Sequence, residues 1–322
     1  MTEPLRIGVM GCADIARRRM LPAIARAPRT EVVAVASRDP ARAAELADVY
    51  GCRAVHGYEA LLTDEAVEAV YVPLPAALHA EWTEAALLAG KHVLVEKPLS
   101  LRRESTGRLV ELARSQRLAL MENVMFVHHG LHAVVRKLLD EGAVGELRGF
   151  EAHFMVPRRA QDDIRRRPEL GGGALWDTGV YPLRAACHFL GPGLEVVGAS
   201  LVRGSGHQVD SAGSALLVAP DGTGVHVSFG LDHAYCSTYA LWGTGGSITV
   251  GQAFTPPADH RPVIRVDDGS GPRDLLVPPE DQAYNTVMAF AAAARAGGTP
   301  DGVCLEQARL LDDVRAAASL RG

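Results

Sequence analysis

From Leu5 to Asn123, short apolar runs alternate with stretches of helical spacing. Leu5–Met10, Glu31–Ala36, Ala54–His56, Ala69–Pro73, His92–Glu96 and Leu118–Asn123 read as strands. Ile15–Ala27, Pro40–Tyr50, Tyr58–Leu62, Ala76–Ala89 and Leu101–Ser115 read as the helices between them. Strands alternating with helices in this way make a parallel sheet. Pro22 is expected to bend or restart the first helix, and Gly51 and Gly90 stand where C-cap glycines end helices.

The pattern changes near residue 120. Gly130–Asp140 is an amphipathic helix. Alternating strands follow: Leu147–Met155, Glu195–Arg203, Ser211–Ala219, Gly224–Leu231, Thr238–Trp242 and Ser247–Gly251. Glycine and Asp-Gly turns separate them, which predicts a largely antiparallel sheet. Tyr284–Arg295 and Leu305–Ala318 read as closing helices, and Arg158–Arg167 and Gly171–Gly173 as loop. The expected fold is α/β: an N-terminal parallel-sheet domain over residues 1–122 and a C-terminal α+β domain over 123–322, built on a large open, mostly antiparallel sheet. A length of 322 residues suits two domains.

Composition narrows the function. With 48% apolar and 22% charged residues the chain can build a full core. Thirty-three basic against 38 acidic residues leave −5, so nothing steers the whole chain toward nucleic acid and any anion site must be a local arginine cluster. Cys12, Cys52, Cys187, Cys236 and Cys304 form no CxxC pair, which fits reduced thiols in a cytoplasm. The polar start, Met1–Arg6, has no signal-peptide pattern, and no apolar run reaches the roughly 18 residues of a membrane span. His128 and His129 are adjacent, so a regular strand turns them to opposite sides. No HExxH or Cys/His ligand spacing occurs, and no metal is expected.

The turn after the first strand reads Gly8-Val-Met-Gly11-Cys12-Ala13-Asp14-Ile15-Ala16. It is a variant of the dinucleotide fingerprint, with Ala13 in place of the second glycine and Ala16 at the third position. Small residues let the backbone approach a pyrophosphate at a helix N-terminus. The alternative is a close strand–helix turn without ligand. At the end of the second strand an NAD site has an acidic residue, but here Ser37 and Arg38 stand, a hydroxyl and a guanidinium suited to a 2′-phosphate. Asp39 precedes Pro40 and reads as a helix start. Arg38 has a bland alternative as a solvated surface charge.

Glu96-Lys97-Pro98 ends a buried strand, at the edge where open α/β sheets bind ligands. A lysine there is partly desolvated and suited to proton transfer. It could equally form a structural ion pair with Glu96.

Glu96-Lys97-Pro98, the Gly11–Ala16 turn and Pro73-Leu74-Pro75…His79 together resemble the Gfo/Idh/MocA oxidoreductase family, over essentially the whole chain. The resemblance implies an N-terminal Rossmann domain and a C-terminal open antiparallel sheet. Family members often carry D-x-x-x-H in the second domain; here Trp176-Asp177-Thr-Gly-Val-Tyr181-Pro182 puts a tyrosine at the histidine position. With Cys12-Ala-Asp-Ile-Ala, Tyr71-Val-Pro-Leu-Pro, Met121-Glu-Asn, Gly171-Gly-Gly-Ala-Leu and Phe254-Thr-Pro-Pro, this resembles the NADPH-dependent 3-ketoreductases of dTDP-linked 3,4-diketo-2,6-dideoxy sugars in antibiotic pathways. The same tyrosine also occurs in NADP-dependent sugar and dihydrodiol dehydrogenases of the family. A third class keeps the fold as non-catalytic NADP sensors.

The resemblance implies roles. Gly11, Cys12, Ala13, Asp14 and Ile15 would hold the pyrophosphate of NADP(H), and Ser37 and Arg38 its 2′-phosphate. Leu74, His79, Glu96 and Lys97 would line the ribose and nicotinamide, with Tyr58 also assigned to the cofactor. Arg165 and Asp177 would close over the nicotinamide side. Lys97 and Tyr181 would flank the reacting carbonyl, Tyr181 as acid and Lys97 polarising the oxygen, or the reverse; a buried tyrosine bonding backbone is the bland alternative. Of Arg17, Arg18 and Arg19, the last would reach the substrate diphosphate. Asp177 and Tyr181 would touch the sugar nucleotide, as would Gln252 and Thr255 on a loop after a strand. Tyr235, Tyr239 and Trp242 are candidates to stack on its base, although strand aromatics more often belong to a core or an interface. Such sheets pair into homodimers or homotetramers.

Overall fold

The structure, a computed structural model, describes residues 3–204, 206, 208–298 and 302–319; Met1 and Thr2 of the polar start lie outside them. The chain divides into two compact units.

The first unit comprises Met1–Asn123 and Ala283–Cys304. Its strands are β1 (Leu5–Met10), β2 (Thr30–Ser37), β3 (Arg53–His56), β4 (Ala69–Val72), β5 (His92–Glu96) and β6 (Leu120–Asn123). All pair in parallel, in the order β3-β2-β1-β4-β5-β6. The order reverses between β1 and β4, and a crevice at such a reversal is where open α/β sheets bind ligands. The helices are α1 (Leu21–Arg26), α2 (Pro40–Tyr50), α3 (Tyr58–Leu62), α4 (His79–Leu88) and α5 (Arg103–Gln116). Pro22 restarts the first helix as expected: a π-helical turn over Ala16–Met20 precedes α1, whose first turn holds the proline. Asp39 is the N-cap of α2, its carboxylate accepting from the Ala41 and Arg42 amides, and Gly51 closes α2 at φ 61°.

The second unit comprises Val124–Gln282 and Leu305–Gly322. Its elements are α6 (Gly130–Asp140), β7 (Leu147–Met155), α7 (Val180–Leu190), β8 (Glu195–Val202), β9 (Ala212–Val218), β10 (Gly224–Gly230), β11 (Cys236–Gly243), β12 (Ser247–Gly251), β13 (Val263–Asp267) and β14 (Pro272–Leu276). The sheet order is β14-β13-β12-β11-β7-β10-β9-β8, antiparallel except that β10 runs parallel to β7. Alternate residues of the central strands, such as Phe150, Ala152 and Phe154 of β7, Val225 and Val227 of β10, and Tyr239 and Leu241 of β11, bury into one core with α7 and the helix Val303–Ser319. The opposite face exposes Leu216 and Trp242.

The sequence reading placed all of residues 123–322 in the second domain. Instead α8 (Gln282–Arg295) lies in the first unit from Ala283 onward, and only from Leu305 does α9 (Val303–Ser319) belong to the second. Partners distant in sequence hold it there: Arg295 pairs with Glu68 and bonds the Glu3 carbonyl, and Arg26 stacks over Tyr284. Strands β13 and β14, and α7 with the helical turn leading into it, went unread in the sequence.

Candidate active site

In the first unit the site grows from the carboxyl ends of β1, β4 and β5. Gly11 leaves β1 with φ 106°, its amide donating to the Ala36 carbonyl at 2.7 Å. A side chain is strained at that φ, and a Cβ would meet Leu74 at 3.1 Å and the Tyr58 hydroxyl at 3.7 Å. Gly11 is therefore a bare backbone cradle walled by Leu74 and Tyr58, as close approach of a pyrophosphate requires. Tyr58 is buried, edge-on to Trp82 at 5.0 Å. The cradle residues fit the dinucleotide that the sequence pattern implies.

Ser37 ends β2 buried, its hydroxyl accepting from the Asp39 amide at 3.1 Å. Arg38 is exposed. Because the Asp39 carboxylate is engaged in capping α2, it is not the free acid an NAD ribose site presents. Sequence reasoning missed Arg42. Its guanidinium donates to the Cys12 carbonyl at 3.2 Å, while Cys12 Sγ donates to the Arg42 carbonyl at 3.4 Å. Burial pushes the Cys12 thiol up, with Arg42 opposing. Three positive groups, Arg17, Arg38 and Arg42, thus belong to the turn after β1 and the start of α2.

At the end of β5, Glu96 and Lys97 are half-buried and Pro98 follows through a cis peptide. Glu96 Oε1 accepts from the Tyr71 hydroxyl at 2.7 Å and from Asn123 Nδ2 at 2.6 Å. Burial pushes the Glu96 carboxyl up, while Tyr71, Asn123 and the Lys97 ammonium hold it down. Neither Tyr71 nor Asn123 was singled out as a site residue. The signal was available: both occupy the carboxyl ends of strands flanking β5.

The resemblance places His79 at the ribose and nicotinamide. It is buried, and its ring nitrogens face the Pro98 and Leu74 carbonyls, each at 2.7 Å. Burial lowers its pKa, with the two carbonyls opposing and the Lys97 ammonium adding to the lowering. The ring ties the loop after β4 to the loop after β5. It thereby fixes Leu74 on one side and the residues following Lys97 on the other.

In the second unit Asp177 lies in a π-helical turn, Leu175–Gly179, that runs into α7. Its carboxylate accepts from Arg165 Nε at 2.8 Å, and Asp163 takes Arg165 Nη1 at 3.2 Å. Asp177 chiefly, and Asp163, push the guanidinium pKa further up, against burial. The glycine run is structural to this turn: a Cβ on Gly172 would meet the Arg165 carbonyl oxygen at 2.5 Å, and one on Gly173 would collide with Asp210. Asp210 in turn accepts from the Leu175 amide at 2.7 Å.

Tyr181 is buried in the first turn of α7, with ring centroids 4.6 Å from Phe154 and 5.9 Å from Phe254. Gln252 is exposed with φ 48°, two residues past Val250, and Thr255 meets the Tyr235 hydroxyl at 3.3 Å. Of the three aromatics considered for base stacking, Tyr239 is excluded: it is a core residue, its hydroxyl against His132 at 3.0 Å. Trp242 lies on the open face of the sheet and Tyr235 is half-exposed beside Thr255. In the π turn before α1, Arg17 pairs with Glu45 at 2.9 Å and Arg18 approaches Asp14 at 3.7 Å. Arg19 is half-buried and has no ion-pair partner among the described residues.

Residues 5–124 match the oxidoreductase family with NAD-binding Rossmann fold, and residues 132–249 match the GFO/IDH/MocA C-terminal domain. The chain belongs to the GFO/IDH/MocA oxidoreductase family. It is 51% identical to the dTDP-3,4-didehydro-2,6-dideoxy-alpha-D-glucose 3-reductase of Streptomyces violaceoruber, over 98% of this chain and 96% of the relative. It is 53% identical to the enzyme of the same name from Saccharopolyspora spinosa, over 92% and 90%. The crystal structure of a 3-ketoreductase from Actinomadura kijaniata in complex with NADP and TDP-benzene matches with a TM-score of 0.95 and 46% identity, over 98% of each chain. Among the described residues, no helix of this GFO/IDH/MocA member is long and apolar enough to cross a membrane.

Proposed function

We propose that the chain is an NADPH-dependent 3-ketoreductase that reduces the C3 ketone of a dTDP-linked 3,4-diketo-2,6-dideoxy sugar in deoxysugar biosynthesis. The observation that carries this reading is the end-to-end match to 3-reductases of that sugar, at 46 to 53% identity. Ser37, Arg38 and the engaged Asp39 support NADP(H) over NAD(H).

When bound, the dinucleotide supplies the hydride. The chain does the rest. Negative charge grows on the ketone oxygen as C3 is reduced, and donors preorganised for that oxygen lower the barrier. Lys97 polarises the oxygen with its ammonium and holds the ribose. Tyr181 gives its hydroxyl proton, completing the alcohol. Arg165 is held to Asp177 and closes over the nicotinamide side. Arg19 takes the substrate diphosphate, and Gln252 and Thr255 contact the nucleotide. Variants of the A. kijaniata enzyme that replace one lysine and one tyrosine have been solved with both ligands. Those two residues have the same separation in sequence as Lys97 and Tyr181, which supports this pairing of roles.

The protein works in the cytoplasm as a homodimer or homotetramer. The five cysteines form no disulfide with one another, in keeping with a reducing compartment. The uncovered face of the eight-stranded sheet presents Leu216 and Trp242 with Arg148, Glu151 and His226 around a shallow pocket, a mixed surface suited to self-association.

The test is NADPH consumption with dTDP-3,4-diketo-2,6-dideoxyglucose generated in situ. Fast turnover with NADPH, slow turnover with NADH, and loss in Lys97→Ala and Tyr181→Phe are expected. No turnover there, with NADP reduction by free xylose or a cyclic diol instead, overturns the substrate.

A further inference from the structure

We infer that Tyr71 and Asn123 are positioning residues for Lys97, acting through Glu96, whose carboxylate they pin as a fixed anion beside the ammonium. The inference rests on the reading that Lys97 works at the ketone.

Three adjacent parallel strands build the arrangement. Asn123 of β6 lies directly opposite Glu96 of β5 in the sheet register. Tyr71 of β4 lies opposite Leu94, two residues before Glu96, and its long ring spans that offset. Both donors reach the same oxygen, Glu96 Oε1. Tyr71 and Asn123 are essentially without exposed surface. A buried hydroxyl and a buried amide cost folding free energy that an apolar pair would avoid. The sheet needs neither group for its ladder, whose hydrogen bonds are backbone to backbone. What the two groups do achieve is to fix one carboxylate oxygen and favour its ionised form, since both donate to it.

The consequence falls on the next residue. Glu96 and Lys97 interact electrostatically, the ammonium favouring the carboxylate and, reciprocally, the carboxylate favouring the ammonium. A fixed anion at Glu96 keeps Lys97 protonated and holds the strand end from which it projects. The other titratable groups of this unit that face the site act on the same loop. His79 is fastened to the Pro98 carbonyl and opposes the Lys97 charge. Glu122 accepts from the Leu99 amide at 2.9 Å. Removing a donor from Glu96 lets its carboxylate take up a proton or turn away. In either case Lys97 loses its anion, its pKa falls, and activity is lost at a lower pH.

The experiment uses Tyr71→Phe and Asn123→Leu, alone and in a Glu96→Gln background. The chain has only three lysines, Lys91, Lys97 and Lys137. Carbon-13 reductive methylation therefore resolves the Lys97 titration by NMR without any need for turnover. We expect the Lys97 pKa to drop by about one unit in each single variant. The alkaline limb of kcat should drop with it, while KM for NADPH moves less than about twofold. Neither substitution should shift the titration further when Glu96 is already glutamine. An unchanged or raised Lys97 pKa, a loss of kcat equal at every pH, or the same shift in the Glu96→Gln background overturns the inference. Lys97→Ala separates the two claims. If it keeps the wild-type rate, the functional reading fails. If it is inactive while Tyr71→Phe keeps the wild-type titration and profile, the inference alone fails.

Discussion

Arg17 donates two parallel hydrogen bonds to the Glu45 carboxylate, at 2.9 and 3.2 Å. That pairing distinguishes three consecutive arginines. Arg17 is taken by Glu45 and Arg18 leans to Asp14, which supports the proposed role of Arg19 at the substrate diphosphate. A charged hydrogen bond to a phosphate is worth roughly 1.5–3 kcal/mol. Arg19→Ala should therefore raise KM for the dTDP sugar at least about tenfold. It should weaken TDP binding by a similar factor in calorimetry and leave KM for NADPH unchanged. Arg18→Ala should change neither constant. Equal effects of the two substitutions would remove the diphosphate role.

The division of labour between Ser37 and Asp39 predicts the cofactor behaviour. Ser37 and Arg38 offer donors to a 2′-phosphate, while Asp39 is held by the amides of α2. Arg38→Ala should lower kcat/KM with NADPH by about tenfold or more and leave the NADH value where it was. Asp39→Ala should do the opposite kind of thing: lower stability by about 1 kcal/mol through loss of the cap, with no change in cofactor preference. Steady-state rates with both dinucleotides and a thermal melt separate the two outcomes.

Much of this was legible in the sequence because its signals are local. The strand–helix alternation, Gly11 at the first turn and the change of period near residue 120 all follow from neighbouring residues, and the sheet orders agree with them. What the sequence hid depends on distant partners. Residues 283–304 read as part of the last domain because nothing local says that Arg295 will meet Glu68. Pro272–Leu276 is a short edge strand with no buried residue, so it has no alternation to read, and Val263–Asp267 beside it alternates over only five residues. Gly171–Gly173 reads only as loop, because the close approach of its backbone to Arg165 and Asp210 has no local signal. Nor does anything local say that both ring nitrogens of His79 will meet backbone carbonyls, those of Pro98 and Leu74.

The glycine run yields a prediction of its own. Gly172 has ordinary backbone angles, so alanine would be tolerated there were it not for the Arg165 peptide, whose carbonyl oxygen and carbon would lie 2.5 and 2.7 Å from the new Cβ. Backbone cannot swing aside as a side-chain tip can. Gly172→Ala should displace the Arg165 segment and loosen its bond to Asp177, lowering kcat/KM by about tenfold or more while NADPH binding, carried mainly by the first unit, weakens by much less. Fluorescence titration with NADPH and steady-state rates on the sugar substrate check the split. Weakened NADPH binding in step with the rate would instead mean general misfolding.

Two histidines of the second unit, His132 buried and His188 half-buried, should limit its stability in acid. Burial lowers the pKa of His132 from 6.5 to about 3, and that of His188 from 6.5 to about 4. The unfolded chain binds a proton at each site below about pH 6.5, whereas the folded protein does not. Stability is therefore fully present above pH 6.5 and declines as the pH falls, until the folded pKa values are reached. At pH 5 each histidine accounts for at most about 2 kcal/mol of that decline, from 1.36 kcal/mol per unit. His132→Gln should melt at a lower temperature at pH 7.5, because its ring packs on Phe126 and Tyr239. Between pH 7 and pH 5 its melting temperature should fall by less than that of the wild type. Melts by differential scanning calorimetry across that range test the sign, and parallel slopes for the two proteins would show that His132 does not carry the acid limit.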